Sequence, residues 1–228
     1  MGKTVKILSV GGSIIIPKTG FDISFLKKFR ELILKQVGEG EKFILVIGGG
    51  ATARSYQAAG REFGGLSDTE LDEIGIQTTV LNAHFVRHLF GDLAYGEVVV
   101  NPTKKVKTNK SVILAAGWKP GCSTDFDSVL LAKTYGAKEL INLSNIDYVY
   151  DSDPKENPRA QKIEKIGWKD FRKIVGDKWA PGANVPFDPI AAKEAEKLGL
   201  TVKFVRGTDL GEVGEILNGK PHQGTVIA

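Results

Sequence analysis

Twice within the first fifty residues a run of apolar, largely β-branched residues ends abruptly in glycine. "TVKILSV" leads into "GGS" (Gly11–Ser13), and "KFILVI" leads into "GGG" (Gly48–Gly50). Continuous apolar runs without polar alternation are the pattern of strands buried on both faces of a parallel sheet. Stretches of helical spacing separate them. "DISFLKKFRELILKQV" puts Phe25, Leu26, Phe29, Leu32, Ile33 and Val37 on one face. "ATARSYQAAGREF" predicts a second helix straight after the triple glycine. "SDTELDEIGIQTTVLNAHFVRHLF" opens with Ser67 and Glu70 at capping-box spacing, and its expected apolar face carries Leu71, Ile74, Thr78, Leu81, Phe85 and Leu89.

The alternation continues to the end of the chain. "YGEVVVNPTKKVKTNKSVILAAG" reads as two strands around a basic loop, "STDFDSVLLAKTYG" as a helix and "AKELINLS" as a strand. "DPIAAKEAEKLG" has Asp188 as N-cap, Pro189 at the first helical position and Gly199 as stop. "LTVKFVRG", "DLGEVGEILNG" and "GTVIA" add a strand, a helix and a last strand. The pattern predicts an α/β fold, a three-layer sandwich with a mostly parallel central sheet covered by helices on both faces. At 228 residues it suits one large domain or two closely joined lobes. In such sheets ligands bind at the carboxyl ends of the strands.

Composition narrows the partners. The formal charge is +4, with 31 Lys and Arg against 27 Asp and Glu. That excess suits a small anionic substrate and falls short of a nucleic-acid surface. The densest basic run, Pro102–Lys110, reads as a solvated hairpin or loop, or else as an overhang above a phosphate site. A lone Cys122 rules out an internal disulfide framework and suits a reducing compartment. No apolar run reaches a membrane span, the start lacks a signal-peptide pattern, and Lys6 occupies the position where a myristoylation site wants Ser or Thr. The expectation is a soluble, cytoplasmic protein.

Glycine at a strand's carboxyl end lets backbone N–H groups face a ligand, and a helix starting there adds a positive dipole end that suits phosphate. A third small-residue loop, "AAGWKPGCST" (Ala115–Thr124), also follows a strand and opens a helix. The expectation is a three-loop cradle for a chain of phosphates, although "GGS" reads equally as a tight strand-to-helix turn. Neither "GGSIII" nor "GGGATA" is a dinucleotide fingerprint, and Walker A, G-x-S-x-G, CxxC and HExxH motifs are absent. His84, His88 and His222 form no metal set.

The order of motifs is itself informative: "GGS", then "GGG…AR", then "GxxxGxSTD", "SNIDYVYDSDP" and "FDPIAAK". In that order and spacing, over nearly the whole chain, it resembles the amino acid kinase superfamily, nearest the archaeal-type uridylate (UMP) kinases. The resemblance implies transfer of the γ-phosphate of ATP to UMP with Mg²⁺ on the donor phosphates. It implies an acceptor lobe over 1–125 and an ATP lobe over 126–228 on one continuous sheet, and a hexamer built from dimers. By motif, Gly12, Ser13 and Gly50 would meet ATP and Gly49 would face UMP, while Arg54 would reach phosphate. Asp72 would bind the uridine nucleoside, where a dipole-complementing surface carboxylate is the other reading. The loop Trp118, Lys119, Pro120, Gly121, Cys122, Ser123 and Thr124 would wrap the acceptor. Ser144, Asn145, Tyr150 and Asp153 would hold the adenine nucleotide, with Tyr150 also readable as a core aromatic. Asp125 and Asp188 would stand nearest the centre, and Asp188 also reads as a plain N-cap.

Three departures stand out. Many superfamily members carry a lysine where this chain has Ser9, which leaves the positive charge to Arg54, Lys18, Lys119 or Lys193. Tyr148 and Asp151 replace a usual glycine and threonine, and Trp118 enlarges the acceptor loop. Another small-molecule kinase of the superfamily, acting on a carboxylate, carbamate or phosphonate, is the second enzymatic reading. Ile47 disfavours the isopentenyl phosphate branch, which has histidine there. A nucleotide-binding module without catalysis is the third reading.

Overall fold

The computed structural model describes residues 5–178 and 185–228. Met1–Thr4, the start of the first predicted strand, lies outside the described residues. The first half of the chain runs β1 (Lys6–Val10), α1 (Gly12–Ile15), α2 (Ile23–Gly38), β2 (Phe43–Ile47), α3 (Gly50–Phe63), α4 (Asp68–Phe90), β3 (Ala94–Val99) and β4 (Val112–Ala115). The second half begins with α5 (Thr124–Tyr135), β5 (Glu139–Ser144), β6 (Val149–Tyr150), β7 (Lys162–Ile163) and β8 (Lys165–Ile166). It ends with α6 (Trp168–Val175), α7 (Pro189–Leu198), β9 (Thr201–Arg206), α8 (Leu210–Leu217) and β10 (Thr225–Ile227).

Eight strands form one sheet in the order β3-β4-β2-β1-β5-β9-β10-β8, while β6 and β7 pair separately. Every neighbouring pair in the large sheet is parallel except β9 with β10. Strand β1 lies between β2 on one side and β5 on the other, with Leu8 opposite both Leu45 and Ile141. The strand order therefore reverses at β1, which opens a crevice at the carboxyl edge there.

The apolar runs feed both layers. Along β2, Phe43, Leu45 and Ile47 join a core with Phe29, Ile33, Val86 and Ile216, from α2, α4 and α8. Ile44 and Val46 point the other way, to a core with Val129, Phe171, Phe187 and Ala195. Burying each such side chain contributes about 1.5–3 kcal/mol, which is why these strands tolerate no polar alternation.

The glycines that close β1 and β2 pack against each other. A Cβ on Gly12 would lie 2.1 Å from Gly50 N and 2.6 Å from the Gly48 carbonyl carbon. A Cβ on Gly48 would lie 2.6 Å from Gly12 N. Gly50 adopts φ +65° and would place its own Cβ 2.5 Å from Gly12 O. Side chains are excluded here by the other loop's backbone, before any ligand arrives. From α4, Asn82 Nδ2 donates to Gly48 O (2.9 Å) and Gly49 O (3.0 Å), locking the triplet from behind.

Two expectations are corrected. Of the expected α4 face, Leu71 and Thr78 are buried and Phe85 and Leu89 pack against the core, but Leu81 is 63% exposed. Gly75, Ile76, Thr79, Asn82, Ala83 and Val86 are buried beside them, because small and polar residues seat the helix on the glycine loops. The basic run 102–110 is a crossover, since β3 and β4 are parallel. It is tied to the far end of α5, where Tyr135 OH accepts from Val106 N (3.1 Å) and Lys105 lies over the Tyr135 ring, remote from the glycine edge.

Gly12→Ala should lower unfolding free energy by about 2–3 kcal/mol or more in urea titration, because neither backbone can give way. Gly38→Ala, whose added Cβ meets nothing within 4 Å, should be neutral or gain about 0.5–1 kcal/mol. Equal effects would show that the loop contact is not a constraint.

Candidate active site

Four segments meet at the carboxyl edge on either side of β1. They are Gly11–Ser13 after β1, Gly48–Gly50 after β2, 116–124 after β4 and the Ser144–Tyr150 stretch after β5. Gly49 caps α3, whose amino end starts at this edge, with the first-turn Ala51 N–H donating to Ile16 O (2.9 Å). Arg54, one turn along, is exposed, and its Nη1 donates to Ser13 Oγ (3.4 Å). The cation and the first glycine loop are thus joined.

Behind the glycines lies a cluster of acids. Ser9 is buried at the end of β1 and donates from Oγ to Asp125 Oδ1 (3.1 Å), and Asn142 Nδ2 donates to the same oxygen (3.3 Å). Asp125 Oδ2 accepts from Asp188 N (3.3 Å). Asp188 is buried and caps α7, its Oδ1 accepting from Ala191 N (2.8 Å). The residue that caps α7 is therefore also bonded, through its backbone, to Asp125. A lysine at position 9 would set an ammonium against Asp125; serine supplies a hydrogen bond and no charge.

The third loop lies between α4 and α5. Asp72, also buried, accepts from Gly121 N (2.8 Å), so it is no surface carboxylate. Trp118 and Pro120 form one wall of a cleft of about 470 Å³ whose other side includes Ile74 and Gln77 of α4. Lys119 Nζ sits 4.2 Å from the Trp118 ring centroid. Ser123 caps α5 by accepting from Phe126 N (3.1 Å), with Cys122 and Thr124 half-buried beside it.

On the other side of β1, Ser144 ends β5 and Asn145 is exposed. Tyr150 is half-buried rather than core, and its hydroxyl donates to Asp147 Oδ1 (3.1 Å). Arg206, at the end of β9, pairs with Asp147 at 3.5 Å. Tyr148 is buried under Lys162, whose Nζ is 4.7 Å from the ring centroid. Asp153 is exposed, and its carboxylate accepts from Lys155 N of its own turn.

The amino acid kinase family pattern matches residues 4–206. The chain belongs to the amino acid kinase family. A uridylate kinase of Pyrococcus abyssi is 33% identical over 97% of this chain and 98% of its own. One from Methanocorpusculum labreanum is 32% identical over 97% and 94%. The crystal structure of uridylate kinase from Archaeoglobus fulgidus superposes with TM-score 0.82 at 31% identity, covering 99% of this chain and all of that one.

This family member carries residues that motif reading alone passed over: Asn82, Thr79, Asn142 and Asp127. Thr79, Asn82 and Gly75 recur at helical spacing along α4, and that small polar stripe was the available signal. Nothing in the sequence marks Asn142 or Asp127, which sit inside an ordinary strand and an ordinary helix.

Burial dominates the electrostatics. Protein atoms crowd the Asp125 carboxyl even though part of the residue stays accessible. Desolvation first and the neighbouring Asp188 second push it to about 7, against the bonds from Ser9, Asp188 N–H and Asn142. Asp127 is also pushed to about 7 by burial, with Asp125, Asp188 and Asp72 adding to it and the Trp118 N–H opposing. Burial raises Asp72 as well, and carries the Cys122 thiol to about 11, which keeps it an unreactive thiol at neutral pH.

Between about pH 4 and pH 7 the folded chain keeps protons on Asp125 and Asp127 that the unfolded chain releases. Their contribution to stability is full at the acid end of that window, is lost as pH rises through it, and is level above. Asp127→Asn should therefore raise the melting temperature more at pH 8 than at pH 5. An equal shift at both, read by calorimetry, would contradict the assignment.

Proposed function

We propose that the chain is a uridylate kinase, transferring the γ-phosphoryl group of ATP to UMP to give ADP and UDP, a step in making pyrimidine nucleotides. The carrying observation is full-length similarity to curated uridylate kinases in a chain whose glycine loops, Arg54 and paired acids converge on one edge. Residues 1–125 are assigned to UMP and 126–228 to ATP, so that the phosphates meet in line above β1.

Phosphoryl transfer depends on positioning and charge neutralisation. Gly12, Ser13 and Gly50 present backbone donors to the ATP phosphates and Gly49 faces the UMP phosphate. Arg54 bridges the two sets, its planar fork suiting phosphate oxygens. Asp125 and Asp188 organise the donors around the transferring group, and Ser9 holds Asp125 without neutralising it. Asp72 and the loop Trp118–Thr124 hold the uridine, while Ser144, Asn145, Tyr150 and Asp153 hold the adenine nucleotide. Mg²⁺ on the ATP phosphates supplies charge neutralisation when bound. The ion is assigned to the nucleotide.

The partners are small nucleotides and further copies of this chain. Ile23 and Leu81 are at least half exposed, and the Phe21 ring lies tilted against that of Phe85 (centroids 4.9 Å apart), one turn from Leu81. Apolar surface of this kind suits a subunit contact, here assigned to a hexamer. No helix among the described residues is long and apolar enough to cross a membrane. The assigned location is the cytoplasm.

The test follows ADP formation from Mg-ATP with UMP, CMP, GMP, AMP, carbamate or glutamate. Turnover with UMP and not with the carboxylate or carbamate is expected. Arg54→Ala should cost about 100-fold in kcat/KM, with thermal stability unchanged because Arg54 is exposed. Mg-ATP binding without turnover on any acceptor would overturn the assignment in favour of a binding module.

A further inference from the structure

The loop after β4 is held by three side chains through its own backbone. Gly117 N donates to Thr79 Oγ1 (2.8 Å), Trp118 N to Asp127 Oδ2 (3.1 Å) and Gly121 N to Asp72 Oδ2 (2.8 Å). Thr79 in turn donates its hydroxyl proton to Ile76 O (2.7 Å), which leaves its lone pairs for Gly117. The three anchors differ in environment. Asp127 has no exposed surface at all, and its Oδ1 has no hydrogen-bond partner among the described residues. The charged and titratable groups facing it are Asp125 on its own helix, Asp188 at the start of α7, Asp72 on α4 and Cys122 in the loop. A buried carboxyl among acids, making one hydrogen bond, is a costly filler where a leucine would pack.

The single bond it makes is to the loop assigned to the acceptor. Asp72 is assigned two tasks: it holds Gly121 and it must also meet the nucleoside. For Asp72 to exchange partners, the rest of the loop has to stay at its height when Gly121 is released. Thr79 and Asp127 are the two anchors that do not face that exchange. We infer that Asp127 is a positioning residue for the acceptor, fixing the Trp118 backbone so that the loop keeps its shape while Asp72 turns from Gly121 to the nucleoside. The inference rests on the UMP reading for the acceptor's identity, and on geometry alone for the tether.

Two variants separate the roles. Asp127→Leu keeps bulk and loses the acceptor oxygen; Asp127→Asn keeps an oxygen for Trp118 N–H and loses the charge. In the leucine variant KM for UMP should rise about tenfold, the effect of one lost buried hydrogen bond, with KM for ATP and kcat at saturating UMP within about twofold. Asparagine should recover most of that loss. Should the leucine variant fail to fold, Asp127→Ala removes the same acceptor without added bulk. In parallel, amide hydrogen exchange across 117–122 should quicken in the leucine or alanine variant and stay near the native rate in asparagine. Exchange needs no substrate, so the tether is tested even if UMP proves not to be the acceptor. Unchanged KM and exchange in the leucine variant would overturn the inference. So would a joint fall in kcat and both affinities, or an asparagine variant as impaired as leucine.

Discussion

The site depends on the contact between Gly12 and the triplet Gly48–Gly50. No other residue type allows the two strand ends to approach within backbone contact, with the Gly48 amide also donating to Val10 O (3.1 Å) and Ala51 N to Ile16 O (2.9 Å). Because β1 and β2 are adjacent and parallel, their following loops emerge side by side. The contact turns two loops into one floor. Helix α3 starts from that floor, so its amino end and Arg54 are carried into place by the same packing. Asn82 then fixes the two carbonyls that would otherwise point into the core. Ligand-facing N–H groups are a product of this geometry, and the glycines answer first to each other.

A second constraint is electrostatic. With serine at position 9, Asp125, Asp127, Asp188 and Asp72 share a small buried region with no ammonium inside it. Burial and mutual repulsion keep protons on Asp125 and Asp127 near neutral pH. Cations stand outside that region, Arg54 bonded to Ser13 and Lys119 over the Trp118 ring. An acidic interior facing a cationic rim suits a site whose substrates carry both anionic phosphates and their own divalent ion.

Much of this was readable from sequence where local chemistry dictates structure. The apolar runs of β1, β2, β4 and β5, the Ser67–Glu70 capping box and the Asp188–Pro189 helix start all stand where pattern places them. The resemblance named Asp125 and Asp188 together, and the structure joins them through the Asp188 N–H. What could not be read was set by tertiary contact. Leucine and phenylalanine on α4 marked a core face that Leu71, Phe85 and Leu89 keep, but the approach to the glycine loops also buries Gly75, Thr79 and Asn82 and leaves Leu81 outside. The basic crossover looked like a hairpin because strand direction leaves no trace in composition. Asp127 looked like any helix residue, since its burial comes from the loop folded over it.

The most direct test of the account is a backbone amide NMR titration of the isotopically labelled protein with UMP and, separately, a non-hydrolysable ATP analogue with Mg²⁺. Under the proposed assignment the floor serves both nucleotides, so both titrations should move the amides of Gly12, Gly49 and Gly50. UMP alone should move Gly121 and its neighbours, and the ATP analogue alone those of Ser144–Tyr150. Shifts from either nucleotide that leave the glycine floor untouched would contradict the claim that phosphoryl transfer takes place there.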